Sequence, residues 1–513
     1  MTTPRIALIS WALLLLASSF QVAAFGAELG QISGFGFLGL KTALAACFLL
    51  PVLAGTVLLG RTWVLLAFYV AKACFLGINL AYFSYFHFYL NPVIAWDLLA
   101  EGVATAGRGG IPNLESLWLL ALDLPFLVMA ALSLKGLHQM VSRQRALGLA
   151  LVLLPLFLPL FYEAYNHAER QNLAKLLEDE TKTGQQRIVQ VYGTLVNFLV
   201  NLRLSLSEDA IIAELDPGPE IGGPGTGEKR SLVLIQVEAL GAGLPETQVD
   251  GRPLMPFLAS LRNQGAYFPE VLAIHLAGGT SDAEFSIINS VVPSAQRPSM
   301  KLRSYSYPNS FVARLAAAGY QTLAFHGNDG SFFDRAEAFP RMGFKAFLDQ
   351  KSLGLPTDTW GADDARLFEA VGDRILPLTQ PFLAYIITMS SHTPFDLLSL
   401  GRQPSPDISV RYLAVMKAID QRLQVFVERL RAQRPDLVIL ILGDHAPGDF
   451  HPSYKSVAGK VQETVPLFIL GPGIAQPPTT TKANPSFVDL APTVLSLTGM
   501  PWTLRSRGQP LLQ

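Results

Sequence analysis

Cysteine is almost missing: Cys47 and Cys74 are the only two in 513 residues, and both sit in apolar runs. That implies no disulfide framework and no thiolate metal site, and it excludes a cysteine nucleophile from the C-terminal half. Charge is scarce as well, with 15% Asp, Glu, Lys and Arg against 50% hydrophobic residues. The net charge of −1 gives no electrostatic reason for a nucleic-acid partner. The scarcity is uneven, because residues 1–164 carry only 14 of the 79 charged side chains. The first part therefore reads as membrane and the rest as an ordinary soluble domain. The length alone calls for at least two domains, and no internal repeat is present.

Five apolar runs are long enough to span a hydrocarbon core of about 30 Å. They are roughly Ile6–Phe25, Thr42–Leu59, Trp63–Phe83, Leu117–Leu134 and Ala146–Phe161. Arg5 precedes the first run as it would in a cleaved signal peptide, but the run is long and four more follow, so it is expected to be a span. Arg61 lies between the second and third spans, and Lys135, Arg143 and Arg145 between the fourth and fifth. The other two loops have no such cluster. The basic loops are therefore cytoplasmic, and everything after Phe161 is expected outside. Lys72 and Asp123 fall within spans, where the plain reading is pairing inside the bundle and the sharper one is a functional site.

Residues 165–230 read as a connector. Gln190–Asn201 has apolar residues at helical spacing and suits an amphipathic helix on the membrane surface or against the enzyme domain. Pro217–Gly227 cannot continue a helix and marks a domain boundary. From residue 231 to 513, apolar strand-like runs (Ser231–Val237, Gln321–Phe325, Phe382–Thr388, Leu437–Leu442, Val465–Leu470) alternate with helical patterns such as Ser310–Ala318 and Val410–Leu430. That alternation predicts an α/β domain with a mostly parallel central sheet. Its ligand site belongs at the C-terminal ends of the strands.

Chemistry-bearing residues stand at those ends. Ser231–Val237 runs into Glu238, and Leu437–Leu442 runs through Gly443 into Asp444 and His445. Two carboxylates and an imidazole at one sheet edge suit Mn²⁺, Mg²⁺ or Zn²⁺. Singly, Glu238 reads equally well as a helix cap and Asp444-His445 as a turn. Gly278-Gly279-Thr280 places two glycines before a threonine that opens a helix, a place where backbone can approach a phosphate. Alone, Thr280 would be an N-cap, with Asp282 and Glu284 favouring the first turn.

Together, Glu238 in LVLIQVEAL, Thr280 in GGTSDAEF and Asp444-His445 in LILGDHAP resemble the three metal-site motifs of the lipoteichoic acid synthase family, within the alkaline phosphatase and sulfatase superfamily. The resemblance covers about residues 231–500 and extends to the plan of five spans ahead of the domain. It implies a five-helix transmembrane bundle (1–164) followed by a sulfatase-like α/β catalytic domain (231–513) on the outer side of a bacterial membrane. It further implies that Glu238, Thr280, Asp444 and His445 hold one divalent ion, usually Mn²⁺, with Thr280 as nucleophile. His326 and Arg335, in HGNDGSFFDR, match anion-binding positions of the family, and His392 in MSSHTPF matches a further imidazole for phosphate or leaving group. Phe333 stands where the family has tryptophan. Trp360-Gly361, with Asp363 or Asp364, matches a segment of structural role. His87, His138, His167, His275 and His451 read as packing residues, with His275 near the glycines and His451 near the pocket rim as the two closest to the motifs.

The expected function is transfer of phosphoglycerol from a membrane phospholipid, phosphatidylglycerol, to an envelope glycan or polymer through a covalent phosphothreonine. A phosphoethanolamine transferase and a phosphodiester or sulfate-ester hydrolase share the chemistry. A formylglycine sulfatase does not fit, since Thr280 is followed by Ser-Asp-Ala rather than the C/S-x-P-x-R pattern. An inactive membrane sensor is the alternative from another class, and the four intact metal-site residues give it no support.

Overall fold

In the computed structural model the described residues are 4–29, 38–86, 90, 92, 114–140, 188–201, 208–225, 227–358, 360–401, 405–447, 454–457, 460–474 and 482–512. The chain divides into two compact units, Met1–Ser205 and Leu206–Gln513.

The first unit contains helices α1 (Pro4–Leu29), α2 (Leu38–Leu59), α3 (Thr62–Phe86) and α4 (Leu124–Met140), with a 3₁₀ turn over Leu114–Ala121 leading into α4. Among the described residues four helices are long and apolar enough to cross a membrane: Arg5–Phe25, Lys41–Leu59, Thr62–Leu80 and Trp118–Met140. The fifth expected span, Ala146–Phe161, lies outside the described residues, as do His87, His167 and His451. Large apolar side chains such as Trp63 and Leu132 point outward, 63% and 78% exposed, while polar ones turn in. Lys72 Nζ donates to Asp123 Oδ2 and, at 3.2 Å, to Ser18 Oγ, and the Ser18 hydroxyl donates to the same Asp123 oxygen. The ammonium also sits 4.9 Å from the centre of the Tyr69 ring. This is the bundle-internal pairing. His138 is likewise a packing residue, its Nδ1 2.8 Å from the Val57 carbonyl.

The expected amphipathic segment after residue 190 belongs to this unit. Residues 188–192 are helical, Gly193 breaks the run at φ 90°, and α5 (Thr194–Val200) follows. Val191, Tyr192 and Val196 are buried in a cluster with Leu44 of α2. The apolar stripe is thus spent on helix packing.

The second unit opens with α6 (Glu208–Glu214) and β1 (Glu220–Gly223). β1 falls inside the Pro/Gly stretch expected to separate domains, yet it pairs antiparallel with the last strand, β12 (Trp502–Arg505). The main sheet has eight strands. Five run parallel in the spatial order β9 (Val438–Gly443), β2 (Leu232–Val237), β8 (Phe382–Ile387), β6 (Gln321–His326) and β7 (Ala346–Leu348). β11 (Lys460–Leu470) joins β9 antiparallel and itself carries β5 (Ala266–Leu272) and β10 (Tyr454–Val457). A two-residue ribbon, β3 (Gln248–Val249) with β4 (Arg252–Pro253), stands apart.

The sequence shows why the parallel strands were legible. Strands covered on both faces read as unbroken apolar runs, and LVLIQV, FLAYII and VILILG are buried at every position. Leu232, Leu234, Tyr385 and Leu440 face one core with α8 (Thr280–Asn289), α9 (Phe311–Ala317) and α13 (Leu490–Leu497). Val233, Ile235, Ala384 and Ile439 face the other, with α7 (Pro256–Leu261), α11 (Asp364–Ile375) and α12 (Ile408–Gln433). A short helix α10 (Arg335–Arg341) follows β6. β5 escapes a sequence reading because it contains Pro269, and its partner contains Pro466 where the register slips between Val465 and Leu467. A residue without an N–H cannot continue a ladder, so the pairing bulges there.

The ion pair in the membrane unit gives a stability test. Replacing Lys72 alone by Met leaves the Asp123 carboxylate buried without a counter-charge and should cost about 3–5 kcal/mol. The double variant Lys72→Met/Asp123→Leu should recover most of that loss. Thermal unfolding in detergent measures both; a double variant as unstable as the single one would contradict this account.

Candidate active site

Four parallel strands deliver their next residues to one edge of the sheet: β2 to Glu238, β9 to Asp444 and His445, β8 to the Thr388–His392 turn, and β6 through its own last residue, His326. Glu238 is fixed through its main chain. Thr388 Oγ1 accepts its N–H at 3.0 Å, and the Ser391 hydroxyl donates to its carbonyl at 2.5 Å. The Asp444 Oδ1 atom accepts the N–H groups of Ala239 and His445, both at 2.9 Å, which ties the ends of β2 and β9 together.

Thr280 reaches this edge from the start of α8. Gly279 at φ 53° is the helix cap and makes no side-chain cap bond, so the Thr280 hydroxyl is not spent on capping. A Cβ on Gly278 would lie 2.5 Å from Ser281 Oγ and 2.8 Å from the Asp282 carboxylate, so Gly278 is required for space, whereas Gly279 has open space around it and is favoured by its positive φ. Asp282 is fully buried and holds the turn by accepting the N–H groups of Gly278 (2.7 Å) and Ser299 (2.9 Å).

Thr280 Oγ1 lies 3.5 Å from Glu238 Oε2 and 3.3 Å from His445 Nε2. His445 Nε2 is in turn 3.3 Å from Glu238 Oε1 and 3.6 Å from Asp444 Oδ2. One ligand atom from each of Glu238, Asp444 and His445 falls within 4.8 Å of the others. His445 Nδ1 donates to the Ala446 carbonyl at 2.8 Å, which turns Nε2 toward the carboxylates; there Nε2 carries the imidazolium proton, which a bound cation would displace. Burial disfavours charge on Glu238, but the neighbouring imidazolium holds its carboxyl well below the usual range. Burial and then the Glu238 charge push Asp444 up, and against its own burial the two carboxylates lift His445. Among the described residues Asp444 Oδ2 is buried without a hydrogen-bond partner. Hard oxygens, one imidazole nitrogen and an orphaned carboxylate oxygen fit a divalent cation, which would satisfy that atom.

The other expected site residues surround this cluster. His326 is enclosed, and burial followed by the Arg335 charge holds it well below its ordinary pKa, which favours the neutral ring; among the described residues its Nδ1 has no partner. His392 is also lowered by burial, and its Nδ1 donates to the Thr393 carbonyl at 2.7 Å, leaving Nε2 as the basic nitrogen. The Trp360 ring packs 4.8 Å from the His392 ring. Arg335, expected to bind the anion through its planar fork, is 3% exposed and donates to Glu284, and the Phe333 ring lies 5.5 Å from its Cζ atom. Asp363 and Asp364 divide their work: Asp363 pairs with Arg422 at 2.8 Å, and Asp364 accepts the N–H groups of Met389 (2.8 Å) and Ser390 (3.2 Å), shaping the turn that carries His392. His275 packs beside the cluster, its ring 5.3 Å from that of His445 and its Nε2 2.6 Å from Glu463.

Sequence reasoning missed Thr388, Ser391 and Glu284. The polar run TMSSH directly after an apolar strand was the available signal for the first two. Glu284 is signalled only by being four residues after Thr280, on the same helix face.

The Sulfatase family model matches residues 230–500, more than half of the chain. Lipoteichoic acid synthase 2 of Bacillus subtilis (strain 168) is 26% identical over 340 residues, which is 60% of this chain and 52% of that protein. Lipoteichoic acid synthase of Staphylococcus saprophyticus is 28% identical over 235 residues, 43% of this chain and 36% of that protein. The chain thus matches about half or less of the length of these curated relatives. In structure it is similar to the integral membrane lipooligosaccharide phosphoethanolamine transferase A of Neisseria meningitidis, with a TM-score of 0.58 at 17% identity over 99% of this chain and 97% of that one. That likeness concerns the fold alone.

Asp444→Asn keeps an oxygen for the Ala239 and His445 N–H groups but removes the second anionic oxygen. It should weaken divalent-ion binding about 10- to 100-fold without unfolding the protein. Metal analysis of purified variant and wild type, with circular dichroism as the control, reads this directly; an unchanged metal content would move the ion elsewhere.

Proposed function

The chain belongs to the sulfatase family, and on that premise we propose that it is a membrane-held phosphoglycerol transferase that carries glycerol phosphate from phosphatidylglycerol to an extracytoplasmic glycan or polymer through a phosphothreonine at Thr280. The observation that supports this most is the Thr280 hydroxyl itself. It opens a helix behind two glycines, does no capping, and lies 3.3–3.5 Å from His445 and Glu238.

Glu238, Thr280, Asp444 and His445 are the residues to hold one divalent ion, Mn²⁺ by resemblance, which when bound lowers the pKa of the threonine hydroxyl and screens the anionic phosphodiester. The Thr280 oxygen forms a bond to phosphorus in line with the bond to the diacylglycerol oxygen, which breaks. The threonine proton is released to solvent, and His392, with Nε2 as its basic nitrogen, protonates the leaving oxygen on the far side of phosphorus with a proton taken from solvent. The positive end of α8, which Thr280 opens, favours the anionic non-bridging oxygens. In the second half an acceptor hydroxyl attacks the same phosphorus, the bond to Thr280 breaks, and the threonine recovers its proton. His326, held neutral, offers hydrogen bonding to the head group without adding charge.

A labelled phosphatidylglycerol incubated with the full-length protein should label the peptide that contains Thr280, as read by mass spectrometry. Labelled phosphatidylethanolamine run in parallel decides the head group. Thr280→Ala should abolish labelling and turnover while leaving the melting temperature nearly unchanged, because the side chain is not a cap. Near-normal turnover in that variant would end the nucleophile assignment.

The bias of Arg61, Lys135, Arg143 and Arg145 to alternate loops, together with the fifth span expected at Ala146–Phe161, supports a catalytic unit outside the cytoplasm. A reporter fused after Gln513 should be active only if it works outside the cytoplasm; signal from a cytoplasm-only reporter would reverse the orientation.

A further inference from the structure

Glu284 has no part in the chemistry above, yet it is a completely buried carboxylate at its centre. It lies four residues after Thr280 in α8, so nucleophile and carboxylate share one helix face, one turn apart. Both of its oxygens are taken by Arg335. Nε donates to Oε1 at 3.1 Å and to Oε2 at 2.9 Å, and Nη2 donates to Oε1 at 2.7 Å. Nη1 donates to the Phe332 carbonyl at 3.2 Å. A guanidinium has five N–H groups. These contacts use the one on Nε and one on each terminal nitrogen, so among the described residues one N–H on Nη1 and one on Nη2 have no protein partner. The loop bearing Arg335 is held tightly as well. Phe333 and Asp334 both adopt φ 55°, and Lys301 and Arg303 lie 4.0 and 3.7 Å from the Asp334 carboxylate.

A buried ion pair returns little more stability than it costs, so stability alone is a weak reason for this one. We propose that Glu284 is a positioning residue: it fixes the Arg335 guanidinium at a set distance from Thr280, so that the two unspent N–H groups meet the non-bridging oxygens of the phosphodiester under attack. The identity of that anion rests on the transferase reading. Because Glu284 cancels the charge of Arg335, the pair offers oriented donors more than net attraction. Orientation of this kind is lost when a planar fork becomes a point charge, or when its anchor is shortened. A displacement of about 1 Å at a reacting centre costs on the order of 100-fold in rate.

The test uses the full-length, Mn²⁺-loaded protein in detergent. Binding of sn-glycerol 3-phosphate by calorimetry and turnover of labelled phosphatidylglycerol are measured for wild type, Glu284→Gln, Arg335→Lys and the double variant. Glu284→Gln should weaken probe binding and lower kcat/KM on the order of 100-fold with metal content unchanged. The double variant should be no worse than the poorer single one, since both remove the same contact. Glu284→Asp keeps the charge but retracts it by one methylene, and it should show the same loss even if the uncharged variant fails to fold. A purely structural pair would lower the melting temperature and the active fraction but leave KM and probe affinity as in wild type; that result, or losses that multiply in the double variant, overturns the proposal. A wild type that does not bind the probe overturns it too. Glu284-dependent probe binding without turnover of any lipid would instead sink the transferase reading and leave the positioning role standing.

Discussion

The parallel pairing of β2 with β8 on one side and β9 on the other is the constraint on which the site depends. Parallel strands end at the same edge, so residues far apart in sequence, Glu238, the Thr388–His392 turn and Asp444-His445, arrive at one place. The pairing also fixes them. Main-chain bonds from Glu238 to Thr388 and Ser391, and from Ala239 to Asp444, cross between strand ends and leave the catalytic side chains little freedom. Their ordering entropy is met when the sheet forms, well before any ligand binds.

Around that edge the protein buries several ionisable side chains. Asp282, Glu284, Arg335, Asp364 and Asp444 are all at most 3% exposed. Desolvation opposes each charge, and each is offset differently: Asp282 and Asp364 by backbone N–H groups, Glu284 by Arg335. Asp444 is offset only on one oxygen, and the other is left for a cation. The uneven compensation supports the proposed binding site over a packing feature.

The membrane unit solves the opposite problem. Among its described residues large apolar side chains such as Trp63 and Leu132 face outward, and Lys72, Asp123 and Ser18 pair with one another inside. With lipid outside, apolar contact gives helices no reason to associate, so interhelical polar bonds of this kind specify which faces meet.

The sequence by itself determined the two-part plan, the buried parallel strands and the chemistry of the strand ends. Those are local properties: a run without charge must avoid water, a strand covered on both faces is apolar throughout, and a carboxylate or histidine after such a run has to lie at its end. What it could not show is who partners whom. Glu284 looks like any acidic residue in a helix's first turns until the fold sets Arg335 against it, and Arg335 looks like a phosphate fork until Glu284 takes two of its five N–H donors. The strand β1 hides in a Pro/Gly stretch because its partner is some 280 residues away, and β5 hides behind a proline that only a bulged antiparallel neighbour tolerates. Tertiary structure decided these points because hydrogen bonds and ion pairs depend on distance in space, whereas hydrophobic pattern is written residue by residue along the chain.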